Sequence, residues 1–259
     1  MKYFPVLLFC CLISFFAGAQ NELNTRSPYG IQDASKFEML MPDLSGFGGS
    51  ARDMLRQQSV KPYLMPVRKL GERGSEATYM AAACLEYYIN RDQNFKLNLS
   101  PDFIGLSLGK SASLRDALVF LIERGTVNAA VVPYDAPSVP EVAFSVPNFR
   151  ISNFLHIFRD LSPARQRVFE TKKALVRGHP VLVELKTDEA FRQFSGEAFL
   201  SPGNGSQIHT VLVVGFDEAA GAFEVQTCRG YDWGQNGYAL IRFDDFDRSA
   251  LNGYVLVRD

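Results

Sequence analysis

The sequence contains few of the residues that metal sites and covalent catalysis use. It has three histidines, four cysteines and one tryptophan in 259 residues. No Cys-x-x-Cys, His-x-x-x-His or His-Glu-x-x-His spacing occurs, and no glycine-rich loop of the phosphate-binding type. These spacings are what zinc sites and nucleotide sites require. We therefore expect no metal and no cofactor.

Neither sign of charge is in excess. The chain has 27 basic and 28 acidic residues, which gives a formal net charge of −1. It also has no block of five or more like charges, no repeat and no low-complexity stretch. A protein with this balance has no electrostatic attraction for nucleic acid or for an anionic membrane. We expect no nucleic-acid partner.

Long apolar runs are scarce, and the one at residues 4–16 is typical of a removable leader. Lys2 precedes it, and residues 17–19, Ala-Gly-Ala, are the small residues that a signal peptidase recognises. The run is short for a membrane span. We predict a signal peptide over residues 1–19, no transmembrane segment after its removal, and a secreted or periplasmic protein.

The composition changes along the mature chain and indicates its organisation. Residues 20–52 are rich in Asn, Ser, Gly, Asp and Pro, which predicts an extended N-terminal arm. Within residues 53–259, helical patterns dominate from about 60 to 160 and strand patterns from about 161 to 259. Segregated helices and strands predict an α+β fold with two lobes.

The clearest single element is a helix over residues 76–90. Ser75 precedes it and is a suitable N-cap, because its hydroxyl can accept from a free backbone amide. The pattern is apolar nearly all round, so we expect the helix to be buried.

Residues 131–134 are predicted to be extended, and the acidic cluster Asp244, Asp245 and Asp247 is interpreted as a turn. Further helices are predicted from 101, over 113–124 and over 162–177, and strands over 181–185, 210–214, 222–227, 238–242 and 254–257.

Several motifs occur together in one order. Residues 66–76 read PVRKLGERGSE before the buried helix, His209 opens the strand HTVLVVGFD, and residues 225–238 read VQTCRGYDWGQNGY. This order resembles the papain-like cysteine peptidases, over about residues 53–259. The resemblance implies a papain-like two-lobe fold, in which a helical left lobe with a long buried helix meets an antiparallel β right lobe.

The resemblance also implies where the chemistry of that family would lie. The family uses a cysteine thiolate at the start of the buried helix, a histidine, a glutamine that donates to the oxyanion and an asparagine that orients the imidazole. The tryptophan that shelters the histidine–asparagine pair in that family becomes Arg229 here. The four catalytic positions become, in the same order, Glu76, His209, Leu70 and Thr227.

Three of those four groups are absent, so the resemblance implies a degenerate homologue without thiol proteolysis. Two interpretations of Glu76 stay open. A carboxylate in the first helical turn interacts favourably with the helix dipole, by about 0.3–1 kcal/mol, and it can pair with His209. Alternatively, Glu76 is simply solvated after loss of activity.

The remaining cysteines and histidines are expected to be structural. Cys84 lies about 12 Å beyond Glu76 along the helix, at about 1.5 Å per residue, and strand alternation turns Cys228 away from the imidazole. One disulfide between the two is permitted but not demanded by their spacing. His156 lies between apolar neighbours, and His179 lies in a Gly-His-Pro turn.

Three functions remain open from the sequence. The first is a pseudoprotease that binds an extended peptide or protein segment in the interlobe groove, with Ser111, Ala112, Arg229 and Trp233 as candidate groove residues. The second is an active cysteine-type peptidase whose catalytic site is misaligned or unusual. The third is a structural protein whose groove is filled by its own arm, residues 20–50.

Overall fold

A computed structural model describes residues 29–44, 51–93 and 96–258. The predicted signal peptide, residues 1–19, lies outside the described residues, as do residues 20–28 and 45–50 of the predicted arm. Within the described ranges, no helix combines the length and the apolar character that crossing a membrane would require.

The described helices lie mainly in the first half of the chain. The longest, α3, contacts both the next two helices and the sheet. The α-helices are α1 Phe37–Leu40, α2 Ala51–Met54, α3 Glu76–Gln93, α4 Pro101–Leu108, α5 Leu114–Glu123, α6 Ala164–Val176, α7 Ala190–Gln193 and α8 Phe243–Ser249.

The strands form one antiparallel sheet in the order β2-β7-β3-β4-β5-β6, with the short β1 paired to β4. The central strand β4 carries His209 near its start and pairs with β3 and β5. The strands are β1 Gln57–Ser59, β2 Asn153–Phe158, β3 Val181–Thr187, β4 Gln207–Asp217, β5 Ala222–Gln226, β6 Tyr238–Arg242 and β7 Ala250–Val257. The predicted α+β class is confirmed.

Helix α3 begins and is buried as its sequence predicts. The Ser75 hydroxyl accepts from the Thr78 amide at 3.2 Å, and the Thr78 hydroxyl accepts from the Ser75 amide at 3.1 Å. Each side chain therefore satisfies a donor that the first turn would leave free. Residues from Ala77 to Asn90 are almost all buried. A helix apolar on every side needs partners on every side, and α4, α5 and the sheet provide them.

The sheet packs on both faces because its strands alternate. Leu182, Leu212 and Leu256 lie in the cluster around α3. Val183, Val213 and Val255, from the same strands, lie in the cluster on the opposite face. Successive strand residues point to opposite faces, so these apolar strands join the helical lobe to the β lobe. This sheet is the platform on which His209 is placed.

Residues 131–134 are a turn, so the predicted extended segment is wrong. The Val131 amide donates to the Asn128 carbonyl, and Asp135 has a positive φ of 56°. The Asp135 amide donates to the Asp102 carboxylate at 2.9 Å. A buried acceptor on α4 therefore bends the chain where apolar side chains and a proline suggest extension.

The cluster of Asp244, Asp245 and Asp247 belongs to α8, so the predicted acidic turn is also wrong. Phe243 and Phe246 contact Phe223 with ring centroids 4.9 and 4.6 Å apart. Their spacing places both rings on one helical face, and carboxylates in the first turn suit the helix dipole. The acidic residues alone suggest a turn, whereas the two aromatic rings anchor the segment as a helix.

The described part of the arm, residues 29–44, packs on the β lobe. Ile31 forms a parallel bridge with Leu155 of β2, and Phe37 and Met41 are buried in the core. The Glu38 carboxylate pairs with Arg177 at the end of α6. These contacts lie near Val181, where β3 begins, whereas His209 pairs with Leu185 further along β3.

A buried ion pair ties the chain before α3 to α3 itself. Arg68 pairs with Glu86, which is 2% exposed and also accepts from the Leu99 amide at 2.6 Å. We expect Arg68→Ala to destabilise the protein at pH 7 by about 3–5 kcal/mol, as removal of one partner of a buried pair does. Urea unfolding of the variant and the parent protein measures this difference.

The loss should depend on pH. Burial raises the pKa of the Glu86 carboxyl above its ordinary 4.5. Ionisation of Glu86 therefore destabilises the folded protein as pH rises, and it does so more strongly without Arg68. The destabilisation should therefore be smaller at pH 4 than at pH 7, and adding Glu86→Gln should recover part of it. The exposed Arg165→Ala is the control. An equal loss at both pH values would contradict the assignment.

Candidate functional site

The site is built around the first residue of α3. Glu76 begins the helix, and its side chain is mostly buried, with 16% of its surface exposed. The carboxylate reaches β4, where its Oε2 atom accepts from the Thr210 amide at 3.2 Å. The free amides at the helix N-terminus favour a negative charge at this position. Glu76 therefore joins the helical lobe to the β lobe.

His209 faces this carboxylate. Its Nδ1 atom lies 2.8 Å from Glu76 Oε2 and 3.1 Å from Glu76 Oε1. An ionised carboxylate only accepts hydrogen bonds, so Nδ1 is the donor. The other ring nitrogen, Nε2, is buried and has no hydrogen-bond partner among the described residues. The paired interpretation of Glu76 thus agrees with the geometry, and the solvated one does not.

Arg229 completes a three-residue cluster with Glu76 and His209, which we call the Glu76 triad. Its guanidinium donates to Glu76 Oε1. Burial by itself raises the pKa of the Glu76 carboxyl, but the His209 hydrogen bond, together with the charges of His209 and Arg229, holds that pKa below its ordinary value. The carboxylate form is therefore favoured, and its acceptor positions are occupied.

An aromatic stack holds the His209 ring in place. Phe191 of α7 lies parallel to the imidazole, with centroids 4.4 Å apart and an interplanar angle of 13°. The buried Trp233 donates from Nε1 to the Phe191 carbonyl at 2.7 Å. The sequence predicts Trp233 at the groove but does not predict Phe191, because no local pattern links α7 to the start of β4.

The loop before α3, residues 66–75, is held by carboxylates and by close packing. The Glu72 amide donates to Asp135 at 3.0 Å, and the Tyr79 hydroxyl lies 3.2 Å from both oxygens of buried Asp102. A Cβ atom at Gly71 would lie 2.1 Å from Asp135 Oδ1, and one at Gly74 would lie 2.4 Å from the Tyr79 ring. A side chain at either position would require Asp135 or Tyr79 to move, so the two glycines let the loop pack this closely.

Leu70 and Thr227 also lie at the site, but neither acts on the imidazole. The Leu70 amide donates to the Cys228 carbonyl at 2.6 Å, which links the loop to the chain after β5. Its side chain has no hydrogen-bond donor. The Thr227 hydroxyl accepts from the Arg229 amide at 3.4 Å. Since Nε2 of His209 has no partner among the described residues, Thr227 does not orient the imidazole through that atom.

The two described cysteines are free and fully buried. Burial raises the pKa of both thiols well above the ordinary value. A thiol in that state is a poor nucleophile, because the thiolate is the reactive form. In the part of the chain that the structure describes, neither Cys84 nor Cys228 forms a hydrogen bond to His209.

The other two histidines occupy structural positions. His156 stacks on Tyr254, with centroids 4.5 Å apart, and contacts Asn252 at 3.0 Å. His179 contacts the Tyr88 hydroxyl at 2.8 Å and the Pro42 carbonyl of the arm at 2.7 Å. Burial lowers the pKa of each histidine to about 4. Among the described side chains, no group of three or more His, Cys, Asp or Glu is placed to hold a metal ion.

An open cleft of about 450 Å³ lies beside the Glu76 triad. Three segments line it: the loop before α3, the chain after Phe191 and the chain between β5 and β6. We call it the basic cleft, because three of its lining residues are cationic. Its lining residues are Lys69, Leu70, Arg192, Gln193, Phe194, Ser195, Cys228, Arg229, Asp232 and Trp233.

The predicted groove residues are divided between two places. Arg229 and Trp233 line the basic cleft, as does Leu70. Ser111 and Ala112 lie in the loop between α4 and α5, where Ser111 is exposed. Their part in binding stays a prediction. The sequence does not predict Lys69 or Arg192 as cleft residues, because only the tertiary fold brings these two distant residues into one cleft.

Comparisons with known proteins identify the fold. No family model matches the sequence. Peptidase 1 of Dermatophagoides pteronyssinus is 30% identical over 98 residues, which are 36% of this chain and 29% of that protein. Gamete and mating-type specific protein A of Dictyostelium discoideum is 33% identical over 89 residues, 33% of this chain and 20% of that protein. The matched segment thus spans less than a third of each relative.

Solved structures match over most of the chain. Xylellain, a cysteine protease from Xylella fastidiosa, has a TM-score of 0.64 at 16% identity, covering 89% of this chain and 97% of that one. Digestive procathepsin L 3 of Tenebrio molitor has a TM-score of 0.65 at 18% identity, covering 88% of this chain and 76% of that one. Bromelain from Ananas comosus has a TM-score of 0.63 at 18% identity, covering 79% and 99%. The chain has the papain-like cysteine protease fold, and that expectation is confirmed.

The Glu76 triad should contribute measurably to stability. We expect Glu76→Gln to lower the free energy of unfolding at pH 7 by about 2–3 kcal/mol, somewhat less than the loss of a fully buried pair, since the site is partly exposed. Glu76 has a lowered pKa, so its contribution is present above pH 4.5 and disappears as the pH falls through the lowered value. Urea unfolding at pH 7 and pH 3 measures both effects.

The control is Glu197→Gln, which removes a carboxylate from an exposed position. Its effect at pH 7 should stay within about 0.5 kcal/mol, as for surface substitutions in general. If Glu76→Gln loses the same stability at both pH values, the charge of Glu76 is not what holds the triad together.

Proposed function

We propose that this protein is a proteolytically inactive, exported member of the papain-like fold that binds an extended peptide or protein segment between its lobes. One observation carries the proposal. The carboxylate of Glu76 lies where α3 begins, and it accepts hydrogen bonds from both His209 and Arg229. The family resemblance implies that a thiolate–imidazole pair would stand in that place.

The chemistry of the site supports inactivity. The Glu76 carboxylate accepts from His209, Thr210 and Arg229, so its lone pairs are engaged. A carboxylate is also a weak nucleophile toward an amide, because its attack would give a reactive anhydride. Leu70 offers no side-chain donor to an oxyanion, and loss of one such donor costs about 10²–10³ in rate.

The surroundings of the site support binding. The basic cleft is open, and it carries both an apolar wall and charged side chains. Extended peptides bind to such surfaces through main-chain hydrogen bonds, with pockets for alternate side chains. The described arm residues, 29–44, lie at the other end of β3. The arm leaves the Glu76 triad uncovered over that range.

The sequence supports export. Lys2, the apolar run over residues 4–16 and the small residues at 17–19 have the composition of a signal peptide. We place the mature protein in the periplasm or outside the cell on this ground. A free pair of buried thiols is compatible with that location, because neither is exposed to an oxidant or to a partner thiol.

Peptide turnover separates this proposal from an active peptidase. We expect the purified mature protein to cleave no member of a fluorogenic peptide library under reducing conditions, and His209→Ala to behave identically. Binding of a labelled peptide pool by fluorescence polarisation is the positive measurement. Turnover that disappears in His209→Ala would replace our proposal with the active-peptidase alternative.

The site should accept a nucleophile if one is supplied. We expect Glu76→Cys to react with iodoacetamide at pH 6 faster than Glu72→Cys, which places a thiol in the same loop but away from the imidazole. The difference arises because an adjacent histidine stabilises the thiolate. Adding His209→Ala to Glu76→Cys should remove the advantage, and mass spectrometry of the alkylated protein measures it.

Reactivity alone should not give turnover. Glu76→Cys lacks an oxyanion donor and an orienting group, so we expect no detectable peptide cleavage. Adding Leu70→Gln and Thr227→Asn should raise the cleavage rate by about 10²–10³, the usual effect of an oxyanion donor. If Glu76→Cys alone cleaves peptides as fast as the triple variant, Leu70 and Thr227 do not limit the chemistry. Our account of the inactive site would then be wrong.

A further inference from the structure

The basic cleft carries more positive charge than its own carboxylates neutralise. Lys69, Arg192 and Arg229 line it, and Asp232 is the one acidic residue of the lining. Lys69 and Arg192 are exposed. Over the ranges that the structure describes, neither of their side chains forms an ion pair. These two cations are therefore free to meet an anion from outside.

Arg229 has a different position in the cleft. It already pairs with Glu76, and it is mostly buried, with 21% of its side chain exposed. Its guanidinium also lies over the Phe191 ring, 5.4 Å from the centroid. These contacts fix Arg229 as a wall of the cleft. Lys69 is held close to it, because the backbones of Lys69 and Arg229 form an antiparallel bridge.

The cleft also has an apolar side. Leu70 and Phe194 are half-buried, and Trp233 is buried, with its ring 5.3 Å from the Phe194 ring. An apolar surface beside two cations that form no ion pair within the described residues fits a ligand with both an apolar group and an anionic group. A hydrophobic peptide residue next to a carboxylate has this character, whereas a nucleic acid or a polyanion would need a longer run of positive charge.

We propose that the basic cleft binds a carboxylate of the bound peptide, through Lys69 and Arg192, with an apolar peptide side chain against Leu70 and Phe194. This inference rests on the proposed peptide-binding function and names the chemistry of its ligand. The carboxylate comes either from a peptide C-terminus or from an Asp or Glu side chain. Both sources offer the same two acceptor oxygens to the cations.

The test compares three pools of fluorescein-labelled octapeptides by polarisation. One pool ends in a free carboxylate, the second in an amide, and the third in an amide with Glu at the last position. We expect the free-acid or the Glu pool to bind about tenfold more tightly than the amide pool, and the tighter of the two identifies the source. The preference should weaken as NaCl rises from about 0.05 to about 0.5 M, because exposed charges are screened.

The variant Lys69→Ala/Arg192→Ala should bind all three pools with nearly equal affinity. The control Lys96→Ala/Arg165→Ala removes the same charge from exposed positions outside the cleft and should keep the tenfold preference. Equal binding of the three pools by the parent protein overturns the carboxylate site and leaves peptide binding in place. A parent protein that binds none of the pools overturns the proposed function as well.

Discussion

The contact that organises this molecule is the one between a helix N-terminus and a strand. Glu76 at the start of α3 is held by His209 and Thr210 of β4 and by Arg229 beyond β5. The helix dipole and the nearby positive groups both favour a carboxylate there. An uncompensated charge at this depth would cost several kcal/mol, so the three donors and the carboxylate must be positioned together. The same contact joins the helical lobe to the β lobe at the start of α3.

The rest of the site depends on how the loop over residues 66–75 reaches α3. Gly71 and Gly74 allow it to pack against Asp135 and Tyr79. Arg68 then pairs with Glu86, and the Leu70 amide donates to the Cys228 carbonyl. This path places Lys69 beside Arg229 and opens the basic cleft along one side of the triad. The loop thus reaches α3 along a path that leaves two of its residues, Lys69 and Leu70, in the lining of the basic cleft.

Some parts of the site were accessible from the sequence alone. The resemblance of residues 66–76, of the histidine strand and of residues 225–238 to the papain-like peptidases implies one site. It contains Glu76, His209, Leu70, Thr227 and Arg229, and the structure brings these residues together. The Thr227 hydroxyl accepts from the Arg229 amide, and within the described ranges Nε2 of His209 has no partner. The partner that a threonine hydroxyl takes depends on side-chain placement in the assembled fold, which no sequence pattern encodes. Phe191 and Arg192 come from a short helix without a recognisable motif, so only their neighbours reveal their role.

The sequence by itself determined the α+β class, the capped and buried helix α3 and the strands of the central sheet, because apolar periodicity and caps act over a few neighbouring residues. It failed at residues 131–134 and at α8, where a distant acceptor, Asp102, and a distant ring, Phe223, decide the local conformation. Only the tertiary structure decided that Arg229 closes the Glu76 triad and that Lys69 and Arg192 share a cleft. Charge and packing act through space, and residues far apart in the chain become neighbours only when the sheet and helices are assembled.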